Sequence, residues 1–266
     1  MKTAKLLSSI RRSNRSRVSD DGLRPAARAR GGSKGPFEGP FPSRVWTLLP
    51  VVGALSFAVA FVGTAERSAF SATVTSVPCA AKAKAVIANT SQSFHNAASA
   101  VTGDVQAAQQ IVHNGGTISG TQTPNTPANL PVVPPPAGAT NLGDFSLGSG
   151  QTRNLAAGNY VARSFNLNSN STLTVSGGIV QIWVTGSLSI GGNANNGGVP
   201  ENLEFLVSSV SGANVNGGAA VSALIYAPTG PVTVGAVVHG SVTGSRTTLN
   251  SGGQVVFDAT SICPAP

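Results

Sequence analysis

Residues 214–218 read Asn214-Val215-Asn216-Gly217-Gly218: a small polar residue, an aliphatic residue and a turn of small residues. The same pattern occurs at residues 174–178, 189–192, 233–236 and 248–252. The aliphatic centres, at spacings of 15, 25, 19 and 15 residues, are Val175, Ile190, Val215, Val234 and Leu249. A short recurring unit of strand and turn is typical of a solenoid, in which each unit forms one layer of a stack. The sequence therefore predicts an all-β fold of the β-solenoid class, similar to a parallel β-helix.

The longest spacing contains residues 193–202, a ten-residue polar stretch that we interpret as a loop insertion, because its removal restores a spacing of 15. More apolar strands lie between the repeats. Within each repeat, apolar and polar residues alternate, so Val234 is predicted to face the core and Thr233 the solvent. The stacked outward residues would form a candidate surface ladder of Thr174, Ser189, Asn214, Thr233 and Thr248.

The charge of the chain is concentrated at its N-terminus. Eleven of the 17 Lys and Arg residues lie in residues 1–45, a segment rich in Ser, Arg, Gly and Pro that is predicted to be a disordered cytoplasmic tail. The chain after Ser68 carries five positive and five negative residues and is neutral. Because the tail has no aromatic residue before Phe37 and no recognisable binding motif, we expect no nucleic-acid partner.

Residues 46–63 form an apolar run without a charged residue. Its 18 residues fit either a short membrane span or the apolar part of a signal peptide, so residues 46–64 are predicted to be a transmembrane or signal-anchor helix. The preceding Lys and Arg residues predict that the N-terminus stays in the cytoplasm. The rest of the chain is expected in the cell envelope outside the cytoplasmic membrane, either anchored or secreted after cleavage.

Three further segments follow. Residues 65–120 are Ala-rich, and two similar stretches around His95 and His113 predict additional solenoid-like rungs, although residues 104–111 also fit a short helix. Residues 121–141 hold six prolines and are predicted to be an extended linker. Residues 142–262 are the predicted β-solenoid domain.

Cysteine and histidine supply few candidate sites. Cys79 and Cys263 would pair as a disulfide in an oxidising compartment, the alternatives being two free thiols or pairing between molecules. His95 and His113 occupy equivalent repeat positions and can lie above one another, but without an acidic or Cys partner they favour a solvated turn pair over a metal site. His239 is interpreted as a surface or satisfied core histidine.

Glu201 and Glu204 are the one close carboxylate pair of the repeat region. Paired carboxylates can act as acid and base in glycoside hydrolysis, but no third acid lies nearby, and we interpret both as loop-surface residues. No nucleophile elbow, phosphate loop or zinc-ligand spacing is present in the sequence. We therefore predict no catalytic residue, no cofactor, no metal and no enzymatic activity.

Several architectural motifs carry a family resemblance. They are Ala157-Gly158-Asn159-Tyr160, Ile182-Trp183-Val184-Thr185-Gly186, Ala223-Leu224-Ile225-Tyr226-Ala227-Pro228 and Gly240-Ser241-Val242. With them, residues 142–258 resemble a bacterial extracytoplasmic domain family of unknown function found in surface and pilus-assembly-associated proteins. The resemblance implies a β-solenoid-like fold outside the cytoplasmic membrane and no catalytic residues. Where that family often has an aromatic residue before the last glycine, this chain has His239. Residues 98–105 are similar to the opening of ice-binding-like solenoid adhesins.

These observations favour a non-enzymatic envelope or surface protein that acts in surface assembly or adhesion, with self-association or an envelope or glycan partner. The alternative is a binding module for glycan, cell-wall polymer or ice that uses the Thr/Ser/Asn ladder. A polysaccharide-active enzyme is the third hypothesis, disfavoured by the sparse acids.

Overall fold

The computed structural model describes residues 76–257. This part contains one four-residue helix, α1 (Cys79–Lys82), and a 3-10 helix, Pro200–Asn202. The strands are β1 (Val86–Ala88), β2 (Ser93–Asn96), β3 (Ala100–Thr102), β4 (Val105–Ala107), β5 (Ile111–Asn114), β6 (Thr117–Ile118), β7 (Gln122–Thr123), β8 (Thr140–Leu147), β9 (Thr152–Leu167), β10 (Thr172–Val184), β11 (Leu188–Ile190), β12 (Asn193–Ala194), β13 (Leu203–Val207), β14 (Ala213–Val215), β15 (Ala220–Ala227), β16 (Val232–Val234), β17 (Val237–Gly244), β18 (Thr247–Leu249) and β19 (Gln254–Val256).

These strands pair in parallel and wind into a β-solenoid with three faces. Face A consists of β2, β5, β11, β14, β16 and β18 with the ends of β8 and β9. Face B consists of β3, β6, β12 and β19 with the first parts of β9, β10, β15 and β17. Face C consists of β1, β4, β7 and β13, the start of β8, the middle of β9 and the last parts of β10, β15 and β17. The predicted all-β solenoid is confirmed.

The layers of the solenoid do not follow the order of the chain. The stack begins at β8 and proceeds to β19, and the N-terminal strands then continue it at the far end, where β1 pairs with β17, β2 with β18 and β3 with β19. The segments 65–120 and 142–262, which the sequence separated by a linker, therefore contribute strands to one sheet. Residues 105–107 are strand β4, so the alternative of a helix at residues 104–111 is wrong.

The proline segment, residues 124–139, connects the two ends of the stack and packs on face C. Leu130 and Val133 are buried there against the outward side chains of Trp183 and Tyr226. Asn89 fixes the contact, because its amide accepts a hydrogen bond from Leu130 N (2.8 Å) and donates one to the carbonyl oxygen of the same residue (3.1 Å). Tyr226 also donates its hydroxyl hydrogen to the carbonyl oxygen of Pro131. The predicted linker is thus a packed element of the solenoid.

The solenoid interior is filled by the inward residues of the three faces. Val215, Val234 and Leu249 are fully buried, as the alternation predicts, while Thr233 is only half-buried. Burial of aliphatic side chains is the main force that holds such layers together. Near the β8 end, Phe165 stacks on Phe145 with ring centroids 4.4 Å apart, so aromatic packing closes the core there.

Two predicted segments lie outside the described residues, namely the basic tail (1–45) and the apolar helix (46–64). Within residues 76–257, no helix has the length and hydropathy needed to cross a membrane.

Candidate binding surface

Face A carries an uninterrupted column of small polar side chains on its outer side. The strand register places these residues directly above one another, in the order Ser146, Asn166, Ser189, Asn214, Thr233 and Thr248. All six are exposed or half-buried. We call this set the face A column. Adjacent strands lie about 4.8 Å apart, so it offers hydroxyl and amide groups at a regular spacing over roughly 24 Å.

The local sequence explains why these side chains point outward. Five of the six column residues stand at the centre of an apolar–polar–apolar triplet such as Leu188-Ser189-Ile190, and in the sixth, Thr247-Thr248-Leu249, the buried Thr247 takes one apolar place. A corner follows each strand, and asparagines in this position hydrogen-bond across layers. Asn114 donates to Asn96 (3.3 Å) and Asn96 donates to Asn250 (3.4 Å). Amide ladders of this kind pin the register of stacked strands.

The face A column is uncharged along its length. At the β8 end, Arg163 and Asp144 form an exposed ion pair, in which Arg163 and the Ser164 hydroxyl hold the pKa of Asp144 well below its usual range. At the other end the register continues into two half-buried apolar residues, Phe94 and Val112. The surface can therefore offer hydrogen bonds and apolar contact, but within the described residues it provides no charge cluster for a phosphate or carboxylate.

Four of the five predicted ladder residues, Ser189, Asn214, Thr233 and Thr248, belong to the face A column, and the fifth does not. Thr174 lies on face B, where it pairs with Asn154 and donates its hydroxyl hydrogen to that side chain (3.1 Å). The reason is the path of β10, which occupies face B up to Ser176, turns at two glycines with positive φ, and continues on face C from Val180.

The sequence pattern missed Ser146 and Asn166. Both stand in the same apolar–polar–apolar triplets, Phe145-Ser146-Leu147 and Phe165-Asn166-Leu167, each followed by small residues, so a search that admitted Phe at the inward positions would have found them. Phe94 and Val112 gave no such signal, because their outward position is itself apolar.

His95 and His113 lie above one another, with stacked rings whose centroids are 5.8 Å apart. The interpretation as a solvated turn pair is wrong for His95, which is fully buried and bonds to Ser93 Oγ through Nε2 (2.9 Å). Burial, together with the charge of the nearby His113, lowers the pKa of His95 to about 4. His113 is exposed and contacts Gln122. The described residues contain no cluster of three metal-ligating side chains.

The structure corrects the placement of the carboxylate pair. Glu204 is only 1% exposed and faces outward from face C beneath α1, instead of lying on a loop surface. Its carboxylate accepts hydrogen bonds from Lys82 Nζ (2.5 Å), Gln181 Nε2 (2.7 Å) and Val77 N (3.3 Å). Glu201 is half-buried in the 3-10 helix, and its Oε1 has no hydrogen-bond partner among the described residues.

The remaining predicted residues are dispersed. His239 is exposed on face B, three layers from Thr174, and does not belong to the face A column. Cys79 opens α1, while Cys263 lies outside the described residues, so the disulfide between them stays a prediction.

Comparison with known proteins supports the fold and leaves the ligand open. Residues 143–261 match a family described as a domain of unknown function (DUF7305), which covers the segment that the sequence resemblance identified. No curated protein matches the chain. A similar solved structure is the crystal structure of an ice-binding protein from an Antarctic ascomycete, Antarctomyces psychrotrophicus. It aligns with a TM-score of 0.52 and 18% identity over 72% of this chain and 100% of that chain. At this identity the likeness shows a shared fold.

Proposed function

We propose that this chain is a non-enzymatic binding protein of the cell envelope and that the face A column contacts an extended, uncharged polymer, namely a glycan. The observation that carries the proposal is the six-residue column of Ser, Asn and Thr in continuous register. The apolar outward residues of face C, among them Trp183, Leu206 and Tyr226, are covered by α1 and the proline segment, whereas the residues of the face A column remain accessible.

A column of this kind suits a ligand that repeats. Each hydroxyl or amide contributes a weak hydrogen bond, with a net value of about 1 kcal/mol, so a useful affinity needs several contacts at once. Glycan chains present hydroxyl groups along an extended backbone, and the column presents matching donors and acceptors on successive layers. Adhesion at a surface uses the same multiplication of weak contacts.

The environment of Glu204 supports a binding role over catalysis. A general acid or base must reach a substrate proton, and this carboxylate is buried beneath α1 and shared among three hydrogen-bond donors. Its role is consistent with fastening α1 to face C.

Ice is the alternative ligand, because the similar solved structure is that of an ice-binding protein. A repeated Thr array would favour ice. The face A column alternates among Ser, Asn and Thr, and this mixture favours a hydroxylated polymer with a less regular surface.

The test introduces one charge on face A and one on face B. Thr233→Lys places a cation in the face A column, while the matched control Thr174→Lys places it on an exposed position of face B. Binding to a glycan array and to insoluble polysaccharides is measured, along with inhibition of ice recrystallisation. We expect Thr233→Lys to weaken glycan binding about tenfold or more, since a charge without a partner is desolvated at the contact, and the control to retain binding.

Three outcomes contradict the proposal. If Thr233→Lys and Thr174→Lys weaken glycan binding equally, the glycan does not bind specifically to face A. Inhibition of ice recrystallisation that only Thr233→Lys abolishes, without glycan binding, would assign the column to ice. Polysaccharide cleavage by the purified chain would overturn the non-enzymatic role.

A further inference from the structure

A cavity of about 390 Å³ opens on face B, on a different side of the solenoid from the face A column. Its floor is formed by outward residues of three successive layers, Ser222, His239 and Val256, which the strand register places one above another. One wall is formed by residues 195–200, the part of the predicted insertion (193–202) that follows strand β12, which we call the insertion loop. Phe257 also lines the cavity. A volume of this size is in the range of small-molecule sites.

The insertion loop is a fixed structure. Asn195, buried and at a positive φ of 50°, donates its side-chain amide hydrogens to the carbonyl oxygens of Val199 (2.9 Å) and Ser222 (3.1 Å). A turn hydrogen bond joins Gly198 N to Asn195 O (2.8 Å), and Pro200 then begins the 3-10 helix. The loop is therefore held in place before any ligand arrives, which lowers the entropic cost of binding.

The lining combines two kinds of surface. Asn196, Ser222 and His239 contribute an amide, a hydroxyl and an imidazole, while Phe257, Val256 and Pro200 contribute apolar contact. The lining residues include no charged carboxylate, Lys or Arg side chain. A sugar ring matches this combination, because its C–H face packs on an aromatic ring and its hydroxyl groups exchange hydrogen bonds with amide, hydroxyl and imidazole groups.

We propose that this cavity is a binding site for a single uncharged sugar residue. Other ligand classes fit its chemistry less well. A phosphate or carboxylate would need a cationic partner, and a metal ion would need more ligands than one imidazole. A hydrocarbon would leave three polar side chains desolvated without partners. The site goes beyond the proposed function, since it lies on face B and uses none of the face A column.

The placement of the insertion agrees with a binding role. Repeat proteins place insertions as loops on one face of the stack, and that face is often the one that binds. Here the added residues build a wall over three regular layers, so the cavity exists only because one turn of the solenoid is longer than the next.

The experiment follows the imidazole of His239 in the full chain. The sequence contains three histidines, so their ring resonances can be assigned by nuclear magnetic resonance with His239→Gln and His113→Gln. Glucose, galactose, mannose and N-acetylglucosamine are titrated one at a time. We expect at least one sugar to shift the His239 signals in a saturable manner and to leave those of His113, exposed on face A, unchanged.

The variants measure the contributions of the lining. Asn196→Ala and His239→Ala remove exposed side chains, and we expect each to weaken binding of that sugar about fivefold, measured by saturation transfer to the sugar. His113→Ala is the matched control and should leave the affinity unchanged. Thr233→Lys should also leave it unchanged, so failure of the face A proposal and failure of this one give different results.

The proposal is overturned if none of the four sugars gives a saturable shift at His239, or if His113 shifts equally. Weakening by the His113→Ala control to the same extent would also overturn it. Saturable binding of indole at His239 without binding of any sugar would replace the ligand class with a planar apolar one.

Discussion

At the residue scale, a single step along a strand decides whether a side chain meets the core or the solvent. Val234 has no exposed surface and pairs with Val215 and Leu249, which are equally buried. Thr233, its neighbour in the chain, belongs to the face A column. Adjacent positions of one strand should therefore differ sharply in their tolerance of charge.

We expect Val234→Asp to unfold the solenoid or lower its free energy of unfolding by several kcal/mol, because a carboxylate without a partner would be buried. Thr233→Asp should change the free energy of unfolding by about 0.5 kcal/mol or less. Thermal melts of the two variants provide the measurement, with Val215→Asp against Asn214→Asp as a second pair. Similar losses at inward and outward positions would show that the register is different.

His95 should make the stability of the solenoid depend on pH. Its pKa in the folded state, about 4, is lower than the ordinary histidine value of 6.5, so between these pH values the unfolded chain binds a proton that the folded chain does not. Stability is therefore fully present above about pH 6.5 and falls as the pH decreases towards 4, by about 3 kcal/mol in total. Denaturant unfolding at several pH values should show this slope.

In His95→Leu the slope between pH 6.5 and 4 should become shallow, while the control His239→Ala, at an exposed residue, should keep it. A wild-type slope in His95→Leu would assign the acid sensitivity to other groups.

The sequence predicted such residue positions well wherever the alternation was strict. Val175, Val215 and Val234 were placed inward from their polar neighbours alone, because a period of two is set by strand geometry. It failed at Thr174 and His95. Both depend on which layer lies next to which, and this information resides in the corners and in the order of the layers rather than in the local pattern.

At the element scale, a short helix and a proline-rich stretch together cover one face of the solenoid. Helix α1 and the proline segment bury Trp183, Leu206 and Tyr226, which would otherwise form an exposed apolar strip on face C. The sequence could not predict this cover, since neither segment has the periodicity of a strand. The evidence for a cover lay instead in the strands of face C, whose apolar outward residues require another segment to pack on them.

The buried contact between Lys82 and Glu204 offers a test of this cover. We expect Lys82→Met to lower the free energy of unfolding by about 3–5 kcal/mol, because Glu204 would remain as a buried carboxylate without its cation. Adding Glu204→Gln should recover most of the loss, since the uncompensated charge is then gone. Denaturant titration of the single and double variants measures both effects.

If the double variant instead loses as much free energy of unfolding as the two single variants, Lys82→Met and Glu204→Gln, do together, the two side chains do not stabilise one another. Lys84→Met is the matched control, because its partner Asp104 is more than one-third exposed and a pair of this kind contributes little.

At the scale of the whole molecule, the neutral solenoid follows a strongly basic segment and an apolar run. We expect residues 1–45 to remain in the cytoplasm and the solenoid to lie outside the membrane, because Lys and Arg residues are retained on the cytoplasmic side. Protease added to intact cells should remove the solenoid and spare a tagged N-terminus. A solenoid that is digested only after the cells are lysed, with any outer barrier already permeabilised, would contradict this topology.

The solenoid architecture could be predicted from the sequence, but the order of its layers could not. Recurring small-residue turns indicate a stack, and they do so for residues 95–120 as well as for the second half. They carry no information on which turn neighbours which, because every strand edge offers the same backbone hydrogen bonds. The packing of β1 on β17 could be learned only from the folded chain.

That order has a consequence for how the chain acquires its structure. Strands β1, β2 and β3 are synthesised early, yet one of their two edges is completed by β17, β18 and β19, about 150 residues later in the chain. Contacts between residues so far apart in the chain form slowly, because the entropic cost of closing a long loop comes before any stabilising contact is made. We therefore expect the first layers to leave the ribosome to be the last to complete their strand pairing. Until its C-terminal strands have been synthesised, the nascent chain therefore presents an unpaired strand edge along its N-terminal layers.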